Sequence, residues 1–332
     1  NYTTGVANPY LLLEPSRTNL VPSSEYIGGD WNIQNITDVS NTSDTLSPEG
    51  FYNSTKLTAT SIDPYIFKII NVDVGDNTFS FYVKGTGSTV GKESRILFWY
   101  LGTATGTQSS HSFTLTSEWQ RIDATTAVTG AGTLAFRIDL PADVSVIGDS
   151  CYLYGLQLEA GSYPTSYIPT YSVSATRAAD NCSKTDAGGV INDGDGTLYM
   201  EFTPTNFFGD QRFGVSDNSG ANRIVLRVFN PNNIQLSGVI GGSIEISIVG
   251  NGYTPGNTYK VAGSWSNNNA VLYINGVQVG TDTNVNATPS NALTRIGFDN
   301  GTGTAKFENP VNQTLYFPTR LTNAELATLT TI

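Results

Sequence analysis

The sequence predicts an all-β protein: two antiparallel β-sandwich domains in tandem, with an N-terminal arm and a short C-terminal helix. Three observations carry this. Short apolar or alternating runs recur about every ten residues, broken by Gly, Asn, Asp and Pro. Helical periodicity is confined to TNAELATLTT at 322–331. The 332 residues are interrupted near the middle by a segment rich in Gly, Pro, Ser, Asp and Thr, as expected between two cores.

Composition narrows the class. Hydrophobic residues make up 39% and charged residues 14%, against about 25% charged in an average globular protein. The polar surface is therefore built from Ser, Thr, Asn and Gly, as in exported or extracellular β proteins. Aromatic residues at 11% argue against disorder. Lysine and arginine total 17 against 28 acids, a net charge of −11, which argues against nucleic acid or an anionic membrane as partner. Neutral polymers remain, as does an acidic glycan met by a local basic patch. No apolar run approaches the roughly 18 residues that span a bilayer, so no membrane insertion is expected. The opening NYTTGVANPYLLLEP has no basic n-region, and LLL is too short for a signal-peptide core. Cys151 and Cys182 do not make a disulfide framework, and free thiols are favoured over a single bond. The Asn-X-Ser/Thr sites at Asn35, Asn41, Asn53 and Asn312 are expected by chance in a chain of this composition.

Residues 1–24 are irregular and read as a solvated arm; docking on the first domain or on a neighbouring subunit is the alternative. Residues 25–172 hold the first sandwich, with strands expected in YIFKIINV, TFSFYVK, RILFWYL, HSFTL, WQRIDATTAV, TLAFRIDL and CYLYGLQLE. The last of these runs into LQLEAGSYPTSYIPT at 156–170, an ordered exit. There Tyr163, Tyr167, Ile168 and Tyr171 pack on the sandwich while Pro164 and Pro169 keep the chain extended and unpaired. Residues 173–195 form a linker. Residues 196–332 hold the second sandwich, with strands in TLYMEFTP, QRFGV, RIVLRVF, SIEISIV, TYKVAGSW, AVLYING with VQVG, ALTRIGF and QTLYF. AVLYINGVQVG is a hairpin turning at Asn275-Gly276, because both residues tolerate the positive φ of a type I′ turn. The helix has Thr322 or Asn323 as N-cap and Leu326 and Leu329 on its apolar side.

These runs also resemble known modules. LLLEPSRTNLVPSSEY, then Trp31, FSFYVKG, EWQRI and LYGLQLEAGSYPTSYIPT followed by ATRAAD resemble a module of phage tail-fibre and other virion structural proteins, over most of 11–180. That module is similar to jelly-roll carbohydrate-binding modules of the family 4/9/22 type. GTLYMEFTP, YKVAGSWSNNNAVLYINGVQVGT and RLTNAELATLT resemble a laminin-G or concanavalin-A-like domain over roughly 196–332. The pairing implies a virion adhesin or accessory structural protein, working with other virion proteins as a homo-oligomer such as a trimer and attaching to a host surface polysaccharide. Both resembled folds often hold a structural Ca²⁺. NDGDG at 192–196 and DNSGAN at 217–222 are the candidate loops, plain turns being the alternative.

Catalytic signatures are missing from the sequence. His111 is the lone histidine and reads as a surface or capped residue. No Ser-His-Asp set, HExxH, CxxC pair or phosphate loop stands out. TLYMEFTP offers Glu201 and SIEISIV offers Glu245; a hydrolase would need two such carboxylates to meet at about 5–9 Å. An enzyme is therefore not expected, a polysaccharide depolymerase being the minor alternative.

Sugars are held by aromatic faces with charged and amide side chains around them. Strand alternation places Phe79, Phe81 and Val83 inside and Tyr82 and Lys84 outside. In RILFWYL, Arg95, Leu97 and Trp99 oppose Ile96, Phe98 and Tyr100. In TLAFRIDL, Arg137 and Asp139 point out. In CYLYGLQLE, Tyr152, Tyr154, Leu156 and Leu158 go one way and Gln157 and Glu159 the other. One outward face of the first sandwich thus offers Tyr82, Lys84, Arg95, Trp99, Arg137, Asp139, Gln157 and Glu159 as a glycan site. A solvated sheet face or a subunit contact is the alternative. Trp119 reads as a core or edge staple, Trp265 as a packing residue at a strand end with ligand contact as the alternative, and Trp31 as either.

Overall fold

The computed structural model describes residues 11–29, 31–140, 147–205, 207, 209–286 and 292–332. The chain divides into two compact units. Ser16–Ala178 form the N-terminal unit; Ala179–Ile332, with the described residues up to Pro15, form the C-terminal unit.

The N-terminal unit is a sandwich of a six-stranded and a five-stranded antiparallel sheet. The six-stranded sheet runs Ile36–Val39, Thr55–Ala59, Ser150–Ala160, Gly75–Thr86, Gln120–Gly130 and Thr105–Gly106 in spatial order. The five-stranded sheet runs Asn32–Gln34, Tyr65–Val72, Gly132–Asp139, Glu93–Leu101 and Ser109–Thr114. Alternating residues from both meet between them: Phe79, Phe81 and Leu158 from one side, Ile96, Phe98 and Phe136 from the other. The Phe79 and Phe136 rings are 4.4 Å apart, the closest ring contact across the two sheets. At about 25 cal/mol per Å², each fully buried Phe contributes roughly 2–3 kcal/mol. Trp31, 6% exposed, closes one end of this core edge-on to Phe136.

The C-terminal unit repeats the plan. Its six-stranded sheet runs Ser183–Lys184, Arg295–Gly297, Asp210–Ser216, Arg223–Phe229, Asn233–Ile240 and Ser243–Gly250. Its five-stranded sheet runs Val277–Asp282, Asn269–Ile274, Tyr259–Ser266, Gly196–Phe202 and Val311–Phe317. The hairpin turns at Asn275 and Gly276 as expected, with φ of 51° and 78°, joining the paired ends Ile274 and Val277. The helix Asn323–Thr330 is capped by Thr322, whose hydroxyl accepts from the Glu325 amide while Glu325 accepts from the Thr322 amide at 2.8 Å. Leu326 seats it on Tyr199, Ala262, Val271 and Tyr273.

Several expectations are corrected. The described part of residues 1–24 is not a solvated arm. Leu11 exchanges two backbone hydrogen bonds with Val311, and Leu13 is buried in the C-terminal core. Arg17–Asn19 pairs with Ala175–Arg177 in the N-terminal unit, and Val21 lies in its core. The linker 173–195 is likewise paired at both ends, through Ala175–Arg177 and through Ser183–Lys184 with Arg295–Gly297. The strand Asn233–Ile240 was not expected, because Asn, Gln, Ser and Gly break its apolar run. Gly238 is required there by packing: a Cβ would lie 2.9 Å from Ile246.

Cys151 and Cys182 are both free, Cys151 in the N-terminal core and Cys182 half-buried in the C-terminal unit. Among the described residues, no helix is long and apolar enough to cross a membrane.

Candidate functional site

The outer face of the five-stranded sheet in the N-terminal unit carries the candidate site. Ile96, Phe98, Leu134, Phe136 and Ile138 point into the core, so Arg95, Leu97, Trp99, Ala135, Arg137 and Asp139 point out. The register sets Asp139 between Tyr65 and Arg95, and Ala135 opposite Trp99. Arg137 thus has Tyr65 and Trp99 as diagonal neighbours on either side, within reach of a long side chain. Its guanidinium carbon lies 3.5 Å from the Tyr65 ring centroid and 5.7 Å from that of Trp99. Phe67 continues the aromatic row, 6.2 Å from Tyr65.

Charge on this face is held rigidly. Asp139 is 2% exposed and accepts from Arg137 Nε and from Arg95 Nη2, the latter at 2.8 Å. Arg137 Nη2 also reaches Asp63 at 3.0 Å. A buried carboxylate that fixes two guanidinium groups pre-orders donors that would otherwise lose side-chain entropy on binding a ligand. The result is a half-exposed strip of Tyr65, Phe67, Leu97 and Trp99 interleaved with forked donors. Such a strip can stack on the C–H face of a sugar ring and bond its hydroxyls.

Four of the eight predicted residues meet here: Arg95, Trp99, Arg137 and Asp139. The other four do not. Tyr82, Lys84, Gln157 and Glu159 belong to the six-stranded sheet, on the opposite outer side of the sandwich. That side is roofed by chain. Lys84 reaches Thr45 at 3.3 Å, Tyr152 and Lys56 reach Asp44, and Trp119 donates to the Leu46 carbonyl at 2.7 Å, an edge staple as expected.

Gln157 and Glu159 are fully buried and tie down the exit segment. Gln157 accepts from the Ile168 amide at 2.7 Å, and Glu159 accepts from the amide and hydroxyl of Thr165, each at 2.7 Å. Asn19 joins from the N-terminal side, donating to Leu156 and Ile168 carbonyls and accepting from the Leu158 amide. Thr170 bonds Ser24 and the Val21 carbonyl. Of the expected exit residues, Ile168 is buried and Tyr167 stacks edge-on to Tyr154 at 5.4 Å, but Tyr171 is 74% exposed.

The strand Ser150–Ala160 also departs from simple alternation. A bulge between Tyr154 and Gln157, with Gly155 at φ 63°, turns Cys151 and Leu153 inward on one side of it and Leu156 and Leu158 inward on the other. Tyr152 and Tyr154 therefore face the roof, not the core. Burial raises the pKa of Tyr154 and Tyr167, and the nearby carboxylates of Glu25 and Glu49 add to it.

The sequence reading missed Tyr65, Phe67 and Asp63. The alternation of Ile66 and Val72 against Tyr65 and Phe67 in YIFKIINV was the available signal.

In the C-terminal unit, Trp265 is 2% exposed and packs against Gly196, where a Cβ would sit 2.3 Å from the indole; it is a packing residue. Glu201 and Glu245 lie on different sheets and face outward on opposite sides of the sandwich, so they form no catalytic pair. Glu201 is held by Asn312 at 3.1 Å and Glu245 by Asn286 at 2.6 Å. His111 packs T-shaped with Phe98, ring centroids 6.0 Å apart.

The 217–222 loop does not fit a cation. Asp217 accepts from the amides of Ser219, Gly220 and Asn222, and from the side chains of Ser219 and Asn222. Its oxygens face five donors, the reverse of a Ca²⁺ cradle. In 192–196, Asn192 accepts from Gly194, and Asp193 from the Leu293 amide at 2.8 Å. Among the described residues, no three His, Cys, Asp or Glu side chains converge as metal ligands.

Comparison with known proteins agrees with the fold of the C-terminal unit. Residues 177–327 match the family model of the concanavalin A-like lectin/glucanases superfamily. No curated protein matches the chain. Among solved structures, the chain is similar to the CBM40 of Ruminococcus gnavus IT-sialidase bound to α2,3-sialyllactose, at 15% identity and a TM-score of 0.40, over 46% of this chain and 94% of that one. Domain 4 of AbnA, a GH43 extracellular arabinanase from Geobacillus stearothermophilus in complex with arabinotriose, is 16% identical over 48% and 73%, with a TM-score of 0.36. The mouse laminin α1 chain, domains LG4-5, is 11% identical over 76% and 86%, with a TM-score of 0.31.

Proposed function

We propose that this is a non-enzymatic bacteriophage virion protein, of the tail-fibre, tail-tip or capsid-fibre type, that binds a host cell-surface glycan through the outer face of its N-terminal five-stranded sheet. The observation that carries the binding part is Arg137, set between the Tyr65 and Trp99 rings and locked by Asp139. An ordinary solvated sheet face has no need of half-exposed aromatic rings in a row. The superfamily of the matched C-terminal region supports a lectin-like chain. The virion role rests on the sequence resemblance of residues 11–180. Binding per site is weak, and several copies in a homo-oligomer, such as a trimer, supply avidity.

A structural role is the second reading. Phe51, Tyr52, Leu46 and Val39 are exposed around the roof of the six-stranded sheet and would suit a subunit contact. A depolymerase is disfavoured by the opposed positions of Glu201 and Glu245. A glycan array on the assembled protein beside Trp99→Ala decides between the first two. Binding lost in the variant supports attachment through this face. No binding by folded wild-type protein moves the assignment to the structural role.

A further inference from the structure

The N-terminal unit also carries a cleft away from that face. A cleft of about 730 Å³ lies where Gly75–Thr86 and Ser150–Ala160 meet the ends of Tyr65–Val72 and Gly132–Asp139. That volume is in the range of small-molecule sites, about 300–1,000 Å³.

Two polar groups in it each keep an atom without a hydrogen-bond partner among the described residues, Asn77 Oδ1 and Arg17 Nε. Asn77 is 2% exposed. Its Nδ2 donates to the carbonyls of Gly75 at 3.1 Å and Asp73 at 3.4 Å. Reversing the amide would set its oxygen against those carbonyls, so the orientation is fixed. Its Oδ1 is then buried without a donor among the described residues. Buried acceptors are nearly always satisfied, and one left open in a cleft points to a ligand or water.

Arg17 is the second group. Among the described residues it donates one hydrogen bond, from Nη1 to the Ser16 carbonyl at a long 3.4 Å. Its Nε forms an ion pair with Glu159 Oε2 at 3.8 Å, too long for a hydrogen bond, and Glu159 spends its own acceptors on Thr165 and Gln157. The guanidinium rests on the bare Cα of Gly161, where a Cβ would lie 2.7 Å from Nη2, and beside the Tyr163 ring at 5.6 Å. Ala160 is the strand partner of Asn77. The guanidinium therefore lies one residue beyond Asn77 across the strand pair. Leu20, Val72 and Ala131 supply apolar wall, and Asp73 also lines the cleft.

We propose that this cleft binds a hexuronic acid residue of an acidic polysaccharide. The sugar carboxylate meets the open donors of Arg17, the strongest pairing available to a planar fork. An adjacent hydroxyl donates to Asn77 Oδ1, and the C–H face of the ring lies on Val72 and Leu20. A neutral hexose offers Arg17 only hydroxyl acceptors, without the charge and the two parallel oxygens of a carboxylate. The site is separate from the aromatic strip on the sheet face, and neither depends on the other.

The test is amide chemical-shift mapping of the full chain with glucuronic and galacturonic acids, beside glucose and galactose as ring-matched neutral controls. The acids are expected to shift Asn77, Gly132, Ala160 and Gly161 where the neutral sugars do not. Arg17→Gln is expected to weaken the acids at least tenfold. Ala131→Trp, at an exposed wall position that leaves Arg17 and the core intact, is expected to do the same by filling the cleft. Equal binding of acid and neutral sugar overturns the proposal. So do shifts confined to Tyr65, Phe67 and Trp99, unchanged affinity in Ala131→Trp, or no shift at millimolar acid. None of these outcomes is read by the glycan array on Trp99→Ala, so the two assignments fail independently.

Discussion

Thr165 donates two hydrogen bonds to Glu159, six residues earlier in the chain, from its amide to Oε1 and from its hydroxyl to Oε2, both at 2.7 Å and fully buried. The pair folds the exit segment back onto the strand it has just left. Gln157 and Asn19 extend the same network to Ile168 and Leu156. Glu159→Ala would leave the Thr165 amide and hydroxyl unpaired in the interior and Gln157 Nε2 with only its 3.3 Å bond to the Thr165 carbonyl. The expected cost is about 3–5 kcal/mol, roughly a 10 °C fall in the melting temperature of the N-terminal unit. Calorimetry is the check, and a transition within about 2 °C of wild type would show that the latch contributes little.

That network gives the run LQLEAGSYPTSYIPT its structural job. Gln157, Glu159, Thr165 and Ile168 are the latch that holds the exit segment on the sandwich. Alternation correctly placed Arg137, Asp139, Arg95 and Trp99 outward, because period two follows from the pleat itself. It could not say that Tyr82 and Lys84 lie on the other sheet. Alternation reports which side of its own sheet a residue takes; sheet membership is set by long-range pairing, such as Gly75–Thr86 with Ser150–Ala160. The bulge at Gly155 was equally hidden, since one inserted residue shifts the face of every later one. The Asn275-Gly276 turn and the Thr322 cap were legible because both are local chemistry.

Tyr65 and Lys84 separate the two faces functionally. Tyr65→Ala removes the ring under Arg137 and is expected to weaken glycan binding at least tenfold, about 1.4 kcal/mol. Lys84→Ala, on the roofed side and bonded to Thr45, should leave binding unchanged. Titration of the best array ligand reads both. The reverse pattern would move the site to the six-stranded sheet.

Gly276 takes φ 78° in the hairpin turn, and a Cβ there meets Thr331 Oγ1 at 3.4 Å and the Ala327 carbonyl and Thr331 Cα at 3.8 Å, all ordinary contacts. The cost of Gly276→Ala is therefore backbone strain alone, about 1–2 kcal/mol. Urea denaturation of the C-terminal unit should show that loss, and a null result would mean the turn relaxes to a negative φ.

The thiols differ in reach. Burial pushes the Cys151 thiol up to about 12 and raises Cys182 as well, Cys182 being the less enclosed. Alkylation of native protein by iodoacetamide at pH 8 should modify Cys182 first and leave Cys151 untouched until the N-terminal unit unfolds. Equal rates would contradict the burial of Cys151.

Asp217 sets an acid limit on the C-terminal unit. Burial acts to raise its pKa, but hydrogen bonds from Ser219 and Asn222 outweigh this and hold it below the usual carboxylate value. A carboxylate with a lowered folded pKa stabilises above its unfolded pKa, about 3.9, and loses that contribution as pH falls through the folded value. Asp210 between Arg212 and Arg227 behaves alike: burial opposes ionisation and the two arginines prevail. Asp217→Asn keeps one acceptor and gives up the charge. At pH 7 it should be less stable than wild type by about 1 kcal/mol, the loop being partly solvated. Below the folded pKa the wild-type carboxyl is also neutral, so the gap should narrow as pH falls below about 4. Paired urea titrations across that range measure it, and a gap that stays constant with pH would assign the loss to loop geometry instead of charge.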